Sequence, residues 1–203
     1  MNKKLGIGCG TFLIIVLVIG VVLIGWGIKV NNNMVKHDEN VKEKWGQVEN
    51  VYQRRFDLIP NLVATVKGYA AHEKETFIAV TEARSKVGGQ INISDKVLNN
   101  PQAFNQFQQA QSSLTSALQR LMVVVEKYPD LKANENFLNL QNQLEGTENR
   151  IAVERRRFNE AAREFNTYIK VFPNSIIASF RNFKEKAYFL STEGAKTAPK
   201  VEF

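Results

Sequence analysis

A histidine and two glutamates stand close together at residues 72–76, which read His-Glu-Lys-Glu-Thr. In zinc metallopeptidases, a His-Glu-x-x-His segment places two histidines one helical turn apart to hold the metal, and its glutamate acts as the general base. Thr76 stands where the second histidine is needed, and a threonine does not replace an imidazole ligand of zinc. The segment therefore predicts neither a metal site nor a catalytic residue.

The other side chains that commonly carry chemistry are equally sparse. The sequence has no Gly-x-Ser-x-Gly nucleophile elbow and no phosphate-binding glycine loop. Its single cysteine, Cys9, lies inside a long apolar run, and its only other histidine is His37. The basic cluster at residues 154–157 has no interleaved aromatic residue that could stack on bases. We therefore predict a non-enzymatic protein with no cofactor and no nucleic-acid partner.

Four charged residues interrupt apolar stripes that have helical spacing. Glu148 and Arg155 stand where apolar residues are due in the last long stripe, and Glu73 and Arg84 hold equivalent places in the second. A charge inside a bundle needs a partner on a neighbouring helix, so these four are candidate interior ion pairs. The alternative is a hydrated edge of the bundle, where the alkyl stems pack and the charges stay in water.

The N-terminal part of the chain is apolar enough to cross a membrane. Residues 5–28 carry no charge, and as a helix of about 24 residues they reach roughly 36 Å, more than the ~30 Å hydrocarbon layer. A cleaved signal peptide would have a shorter apolar run that ends in small residues, whereas Trp26 and Lys29 follow here. We predict a short tail and an uncleaved single-pass anchor at residues 1–29, with the side of the membrane undetermined.

The rest of the chain has the pattern of an all-α domain. Apolar residues recur at intervals of three, four and seven, and no stretch alternates as a strand would. Prolines at positions 60, 101 and 129 divide the pattern into four helical segments. The predicted fold is an N-terminal transmembrane helix that continues into an antiparallel up-down four-helix bundle at residues 30–172, followed by a C-terminal amphipathic segment.

The first chain reversal is predicted at residues 57–60. Pro60 is expected to start the second helix, because proline lacks the N–H that the interior of a helix uses. The reversal would form the tip of the bundle away from the membrane and would expose Arg54, Arg55 and Asp57 there. These three residues are the candidate surface for a partner protein.

Residues 173–190 carry a further amphipathic pattern. Apolar side chains recur at helical spacing from Ile176 to Leu190, opposite basic ones, which suits a helix that lies among lipid headgroups. The alternative, which we favour, is that the segment folds back and closes the open end of the bundle core. Residues 191–203 are polar, and we expect a disordered tail. The candidate membrane-surface residues are Ile176, Phe180, Arg181, Phe183 and Lys184.

Two long stretches of the sequence follow the pattern of a known protein family. Residues 54–87 contain RRFDLIPNLVATVKGYAAHEKETF followed by TEARSKV, and residues 121–160 run from LMVVVEKYPDL to ERRRFNE. Phe-Pro at residues 172–173 and Lys-Ala-Tyr-Phe at residues 186–189 extend the resemblance. Together these stretches resemble the LemA family. The resemblance implies a bacterial single-pass membrane protein with a helical bundle, and it does not imply an activity. Arg181 and Asn182 depart from the glycine-rich step usual in the family, which leaves a tight turn there unsupported.

Two functions are compatible with these features. The first, which we predict, is a membrane-tethered binding or scaffold module at the bacterial cytoplasmic membrane, with the lipid bilayer and other membrane or envelope proteins as partners. The second is a self-assembling structural membrane protein that forms homo-oligomers. Gly6 and Gly10 would favour such assembly, because their spacing lets two membrane helices approach closely.

Overall fold

The computed structural model describes residues 3–88 and 97–190, with side chains from residue 12 onward. All regular elements in these ranges are helices, so the all-α prediction is confirmed. The surroundings of Gly6, Cys9 and Gly10, and the predicted C-terminal tail at residues 191–203, lie outside the described part. The helices are α1 (Lys3–Tyr69), α2 (Lys74–Gly88), α3 (Pro101–Val125), α4 (Pro129–Lys132), α5 (Glu135–Lys170) and α6 (Asn174–Phe180).

A single helix, α1, carries the membrane span and the first wall of the bundle. Its 67 residues reach about 100 Å at 1.5 Å per residue. Apolar side chains at residues 12–24 are exposed on every face, and α1 is the one helix in the described chain that is long and apolar enough to cross a membrane. The predicted continuation of the anchor into the bundle is therefore confirmed. Its buried stripe consists of Val30, Met34, Val41, Trp45, Val48, Tyr52, Ile59, Leu62 and Val66.

The predicted helix start at Pro60 is wrong, because α1 runs through this residue to Tyr69. A proline inside a helix leaves the carbonyl four residues earlier, here that of Phe56, without its usual N–H donor. The Arg84 guanidinium of α2 supplies a replacement: its Nε donates to the Phe56 oxygen at 3.3 Å, and its Cζ lies 3.7 Å from the centroid of the Phe56 ring. The Pro60 side chain itself is exposed to solvent. The helix therefore tolerates Pro60, and the chain reverses at residues 70–73.

The long helices pack in two pairs. α1 lies against α5, and α2 lies against α3. The contacts His37–Tyr168, Arg55–Glu148 and Tyr69–Asn134 show that α1 and α5 run antiparallel along nearly their full lengths. Away from the membrane, apolar side chains of all four helices form one core. The predicted bundle is confirmed, and α2, with 15 residues, is the shortest of its four main helices.

α6 is short, and it ends in a tight turn at Asn182. The Asn182 N–H donates to the Ser179 carbonyl at 3.2 Å, and the Phe183 N–H donates to the Ala178 carbonyl at 3.0 Å, the two bonds of a Schellman motif. Asn182 has φ of 56°, in the left-handed region that asparagine occupies more readily than most residues. The turn is therefore present, with asparagine in the place of glycine.

Residues 183–190, which we call the strap, contain no helix. The helical spacing therefore does not produce a helix as far as Leu190, and the segment folds back onto the core, the alternative favoured above. The strap folds back beside α3 and α5 and occupies the membrane-proximal half of the bundle, which α2 does not reach because it ends at Gly88 beside Phe56. It thus takes the position of a fourth helix in that half.

Candidate partner-binding groove

The strap completes the core of the membrane-proximal half. Its Phe189 is buried, and its ring centroid lies 6.1 Å from that of Trp45, 4.8 Å from that of Phe104 and 5.6 Å from that of Phe158. These three rings belong to α1, α3 and α5. One aromatic side chain of the strap therefore packs against all three helices at once.

Two asparagines of α5 hydrogen-bond to the strap backbone, as a neighbouring β-strand would. The Asn166 amide accepts from the Lys186 N–H at 2.8 Å and donates to the Lys186 carbonyl at 2.9 Å. Asn159 makes the same two bonds to Phe189, both at 2.9 Å. Seven helical residues rise about 10 Å, and three strap residues match that distance only when they are extended. The spacing of the two asparagines therefore requires an extended strap.

A third side-chain amide, on α3, hydrogen-bonds the strap from the side opposite α5. Gln108 of α3 donates to the Leu190 carbonyl at 2.8 Å and accepts from the Leu190 N–H at 3.4 Å. The Arg155 guanidinium also donates to the Leu190 carbonyl, at 3.3 Å, and lies over the Phe189 ring. The strap is thus bound between α3 and α5 through its backbone at three residues.

An ion pair fixes the strap to α1. Lys186 Nζ lies 2.7 Å from an Asp38 oxygen and donates to the Asn99 side chain at 2.8 Å, and Lys42 reaches the other Asp38 oxygen at 3.0 Å. Burial acts to raise the pKa of the Asp38 carboxyl, but hydrogen bonds from Lys186 and Lys42 and the charges of both lysines outweigh it and hold that pKa below its ordinary value. Asp38 is therefore a carboxylate at neutral pH, which keeps the pair charged.

A second polar network lies at the middle of the bundle, around Arg55. The Arg55 side chain is 2% exposed; its guanidinium donates to Glu148 at 2.9 Å, to the Thr115 hydroxyl at 3.0 Å and to the Gln111 side-chain oxygen. The prediction that Arg55 is exposed at the tip is therefore wrong, because the reversal lies further along the chain. Arg54 and Asp57, the other two residues of the candidate partner surface, are exposed, but they lie on the side of α1 and not at a tip.

The four charged seam residues each have a partner, and none is fully buried. Glu148 pairs with Arg55, and Glu73 accepts from the Tyr128 hydroxyl at 3.4 Å. Arg84 supports the helix at Pro60, and Arg155 covers Phe189, as described above. The structure does not pair these four residues with one another, and the buried cations among the described residues are Arg55 and, in the strap, Lys186.

The His72 and Glu73 pair lies in the turn between α1 and α2. His72 is exposed, and Glu73 faces Tyr128 and, at 3.9 Å, Lys127. The two residues are thus in a loop and not on one face of a helix, so the geometry of a zinc peptidase helix is not formed.

Four of the five residues predicted to touch the membrane are exposed, and the fifth packs on the core. Ile176 and Phe180 are exposed on α6, and Arg181 and Lys184 are exposed beside it. Phe183 instead packs on the core, with its ring centroid 6.0 Å from that of Phe165. The assignment of Phe183 to the membrane surface is therefore wrong, because the turn at Asn182 directs it inward.

The groove between α3 and α5 continues past the end of the strap. Its distal half has a floor of Leu118, Met122 and Leu144, and in the structure no described segment lies in it. Val123 at its edge is 66% exposed. The complete lining is Thr115, Leu118, Gln119, Met122, Val123, Gln141, Leu144, Glu145 and Glu148.

Comparison with known proteins gives consistent matches. A model of the LemA family matches residues 44–203. Magnetosome protein MamQ 2 of Paramagnetospirillum magneticum is 29% identical over 92% of this chain and 75% of its own. Magnetosome protein MamQ of Magnetospirillum gryphiswaldense is 29% identical over 78% of this chain and 64% of its own. Protein LemA of Metamycoplasma hominis is 25% identical over 80% of this chain and 69% of its own.

Proposed function

The chain belongs to the LemA family, and from that premise we propose that it is a non-enzymatic scaffold, tethered in the bacterial cytoplasmic membrane, that binds other envelope proteins. The observation that carries the proposal is the continuity of α1 from the span into the bundle. From Lys29 to Tyr69 the helix rises about 60 Å. A rigid rod of this length holds a bound protein at a set distance from the bilayer.

The scaffold proposal predicts specific protein partners. When cells are treated with a short amine-reactive crosslinker and the full-length chain is purified in mild detergent, we expect it to bring down particular membrane or envelope proteins. A control chain that carries residues 1–29 on an unrelated helical domain should not recover them. Equal recovery of abundant proteins by both chains would contradict the proposal, and a particle mass that fits only copies of this chain would favour self-assembly.

We further propose that α6 provides a second contact with the bilayer. Ile177 of α6 lies beside Gly27, near the end of the span, so α6 is level with the point where α1 leaves the hydrocarbon layer. Phe172, Ile176 and Phe180 recur every four residues and are 78%, 59% and 92% exposed. Such exposure is costly in water and favourable at the boundary between headgroups and acyl chains. The two contacts together would fix the angle at which the bundle stands.

A spin label placed at Phe180 should report a lipid environment. We expect that, in liposomes, the label on a full-length Cys9→Ala, Phe180→Cys chain is more accessible to oxygen, which concentrates in lipid, than to a water-soluble nickel chelate. A label at Arg54→Cys in the same background should show the opposite preference. If both labels are equally open to the nickel chelate, α6 does not touch the membrane.

A further inference from the structure

We propose that the distal half of the groove between α3 and α5 binds an extended apolar segment of a partner protein, in the manner in which the proximal half binds the strap. This inference rests on the proposed scaffold function and names the site and the chemistry of its ligand. The first support is continuity, because the strap reaches Leu190 and the same two helices line a groove beyond it in which no described segment lies.

The second support is a pair of amides that repeat the clamps of the strap. Gln119 follows Gln108 on α3 by 11 residues, about three turns, and Gln141 precedes Asn159 on α5 by 18 residues, five turns. Both glutamines therefore lie on the same helix faces as the residues that pair with the strap backbone. Both line the groove, and their side-chain amides make no hydrogen bond to other described residues.

The third support is the apolar floor between these amides. Leu118 and Leu144 are buried and Met122 is half-buried, while Val123 is exposed at the edge. This arrangement resembles the proximal half, where Phe104 and Phe158 lie below the strap and Gln108 and Asn159 hold its backbone. An apolar floor flanked by free amides suits a peptide that buries alternate side chains and pairs through its backbone.

The dimensions and charge of the groove limit the ligand further. From Arg155 to Gln141, α5 rises about 21 Å, the length of roughly six extended residues. Glu145 is exposed at the rim, which favours a ligand with a basic residue at its edge. The site lies level with Arg55 and the residues after it, about 40 Å or more from the end of the span. It therefore suits a loop or tail of a protein that extends well above the bilayer.

A photo-crosslinking residue in place of Val123 tests the site in the full-length chain in its native membranes. We expect crosslinks to one short stretch of a partner, identified by peptide mapping, in which apolar residues alternate. Gln119→Leu and Gln141→Leu together should reduce the yield about tenfold, because the backbone pairs are lost while the apolar floor remains. The paired changes Gln106→Leu and Asn142→Leu, at exposed positions outside the lining, should leave the yield unchanged.

A second chain with the photo-crosslinking residue at Arg150, which is exposed on α5 outside the lining, separates this inference from the scaffold proposal. Capture of specific proteins through Arg150 and not through Val123 would overturn the groove and leave the scaffold intact. Absence of specific capture from both positions would overturn both proposals. Crosslinks from Val123 to lipid, to a second copy of the chain or to residues 191–203 of the same chain would also overturn the groove as a site for another protein.

Discussion

Replacement of Phe189 by alanine is expected to lower the free energy of unfolding of the bundle by about 3–5 kcal/mol. The Phe189 ring fills the space between Trp45, Phe104 and Phe158, and three helices cannot all move inward to close the resulting cavity. The asparagine clamps would remain, so the strap would stay attached without the side chain that joins the helices. Urea unfolding of the full-length chain in detergent, followed by tryptophan fluorescence, measures the loss.

The matched control is Phe180→Ala, because Phe180 is 92% exposed. In detergent this change should alter the free energy of unfolding by no more than about 0.5 kcal/mol. Equal effects of the two substitutions would show that the strap is not part of the folded core. Asn159→Ala should fall between them, since it leaves the backbone of Phe189 without its amide partner but keeps the ring in place.

The features that could be predicted from the sequence depend on local patterns. The span needs only an uncharged run, and the stripe of α1 needs only apolar residues at helical spacing, so both follow from neighbouring positions. Pro60 shows where local rules stop. The carbonyl of Phe56 that Pro60 leaves without a donor is bonded by Arg84, 28 residues after Phe56 along the chain, and the local sequence around Pro60 does not indicate this contact.

The strap could not be predicted for the same reason. Its apolar residues have helical spacing, and nothing within residues 183–190 excludes a helix. The extended form is imposed by Asn159, Asn166 and Gln108, which are 20 to 82 residues away along the chain. A signal was nevertheless present, because two asparagines seven residues apart beside a buried stripe of α5 need partners. Amide side chains beside a core stripe can therefore indicate a bound segment without helical structure.

Arg55 was placed wrongly although its spacing was informative. It follows Val48 and Tyr52 and precedes Ile59 and Leu62 at the intervals of one buried stripe. This spacing predicts a seam position and hence a buried guanidinium with a carboxylate nearby. The supposed reversal at Pro60 concealed it, because a residue at a tip has no need of an interior partner.

The network around Arg55 gives an asymmetric prediction about which partner matters more. Glu148→Ala should lower the free energy of unfolding by about 2–4 kcal/mol, since it leaves a guanidinium that is 2% exposed without its counter-charge. Arg55→Met should cost less, about 1–2 kcal/mol, because Glu148 is 36% exposed and can turn to water. Of the three side chains that lose a hydrogen bond from Arg55, only Gln111 is fully buried. Replacement of the more buried residue costs less because the Glu148 charge that it leaves behind can reach water, whereas the Arg55 charge left by Glu148→Ala cannot.

Urea unfolding of the full-length chain in detergent distinguishes this explanation from loss of packing. Glu145→Ala, three residues before Glu148 and exposed, should change the free energy of unfolding by no more than about 0.5 kcal/mol. The double variant Arg55→Met with Glu148→Leu should be more stable than Glu148→Ala alone, because no buried charge remains. If Glu148→Ala and the double variant lose equal free energy, the cost lies in packing and the ion pair contributes little. If the double variant is more stable than Glu148→Ala, the loss in Glu148→Ala comes from the unpaired charge of Arg55 and not from lost packing.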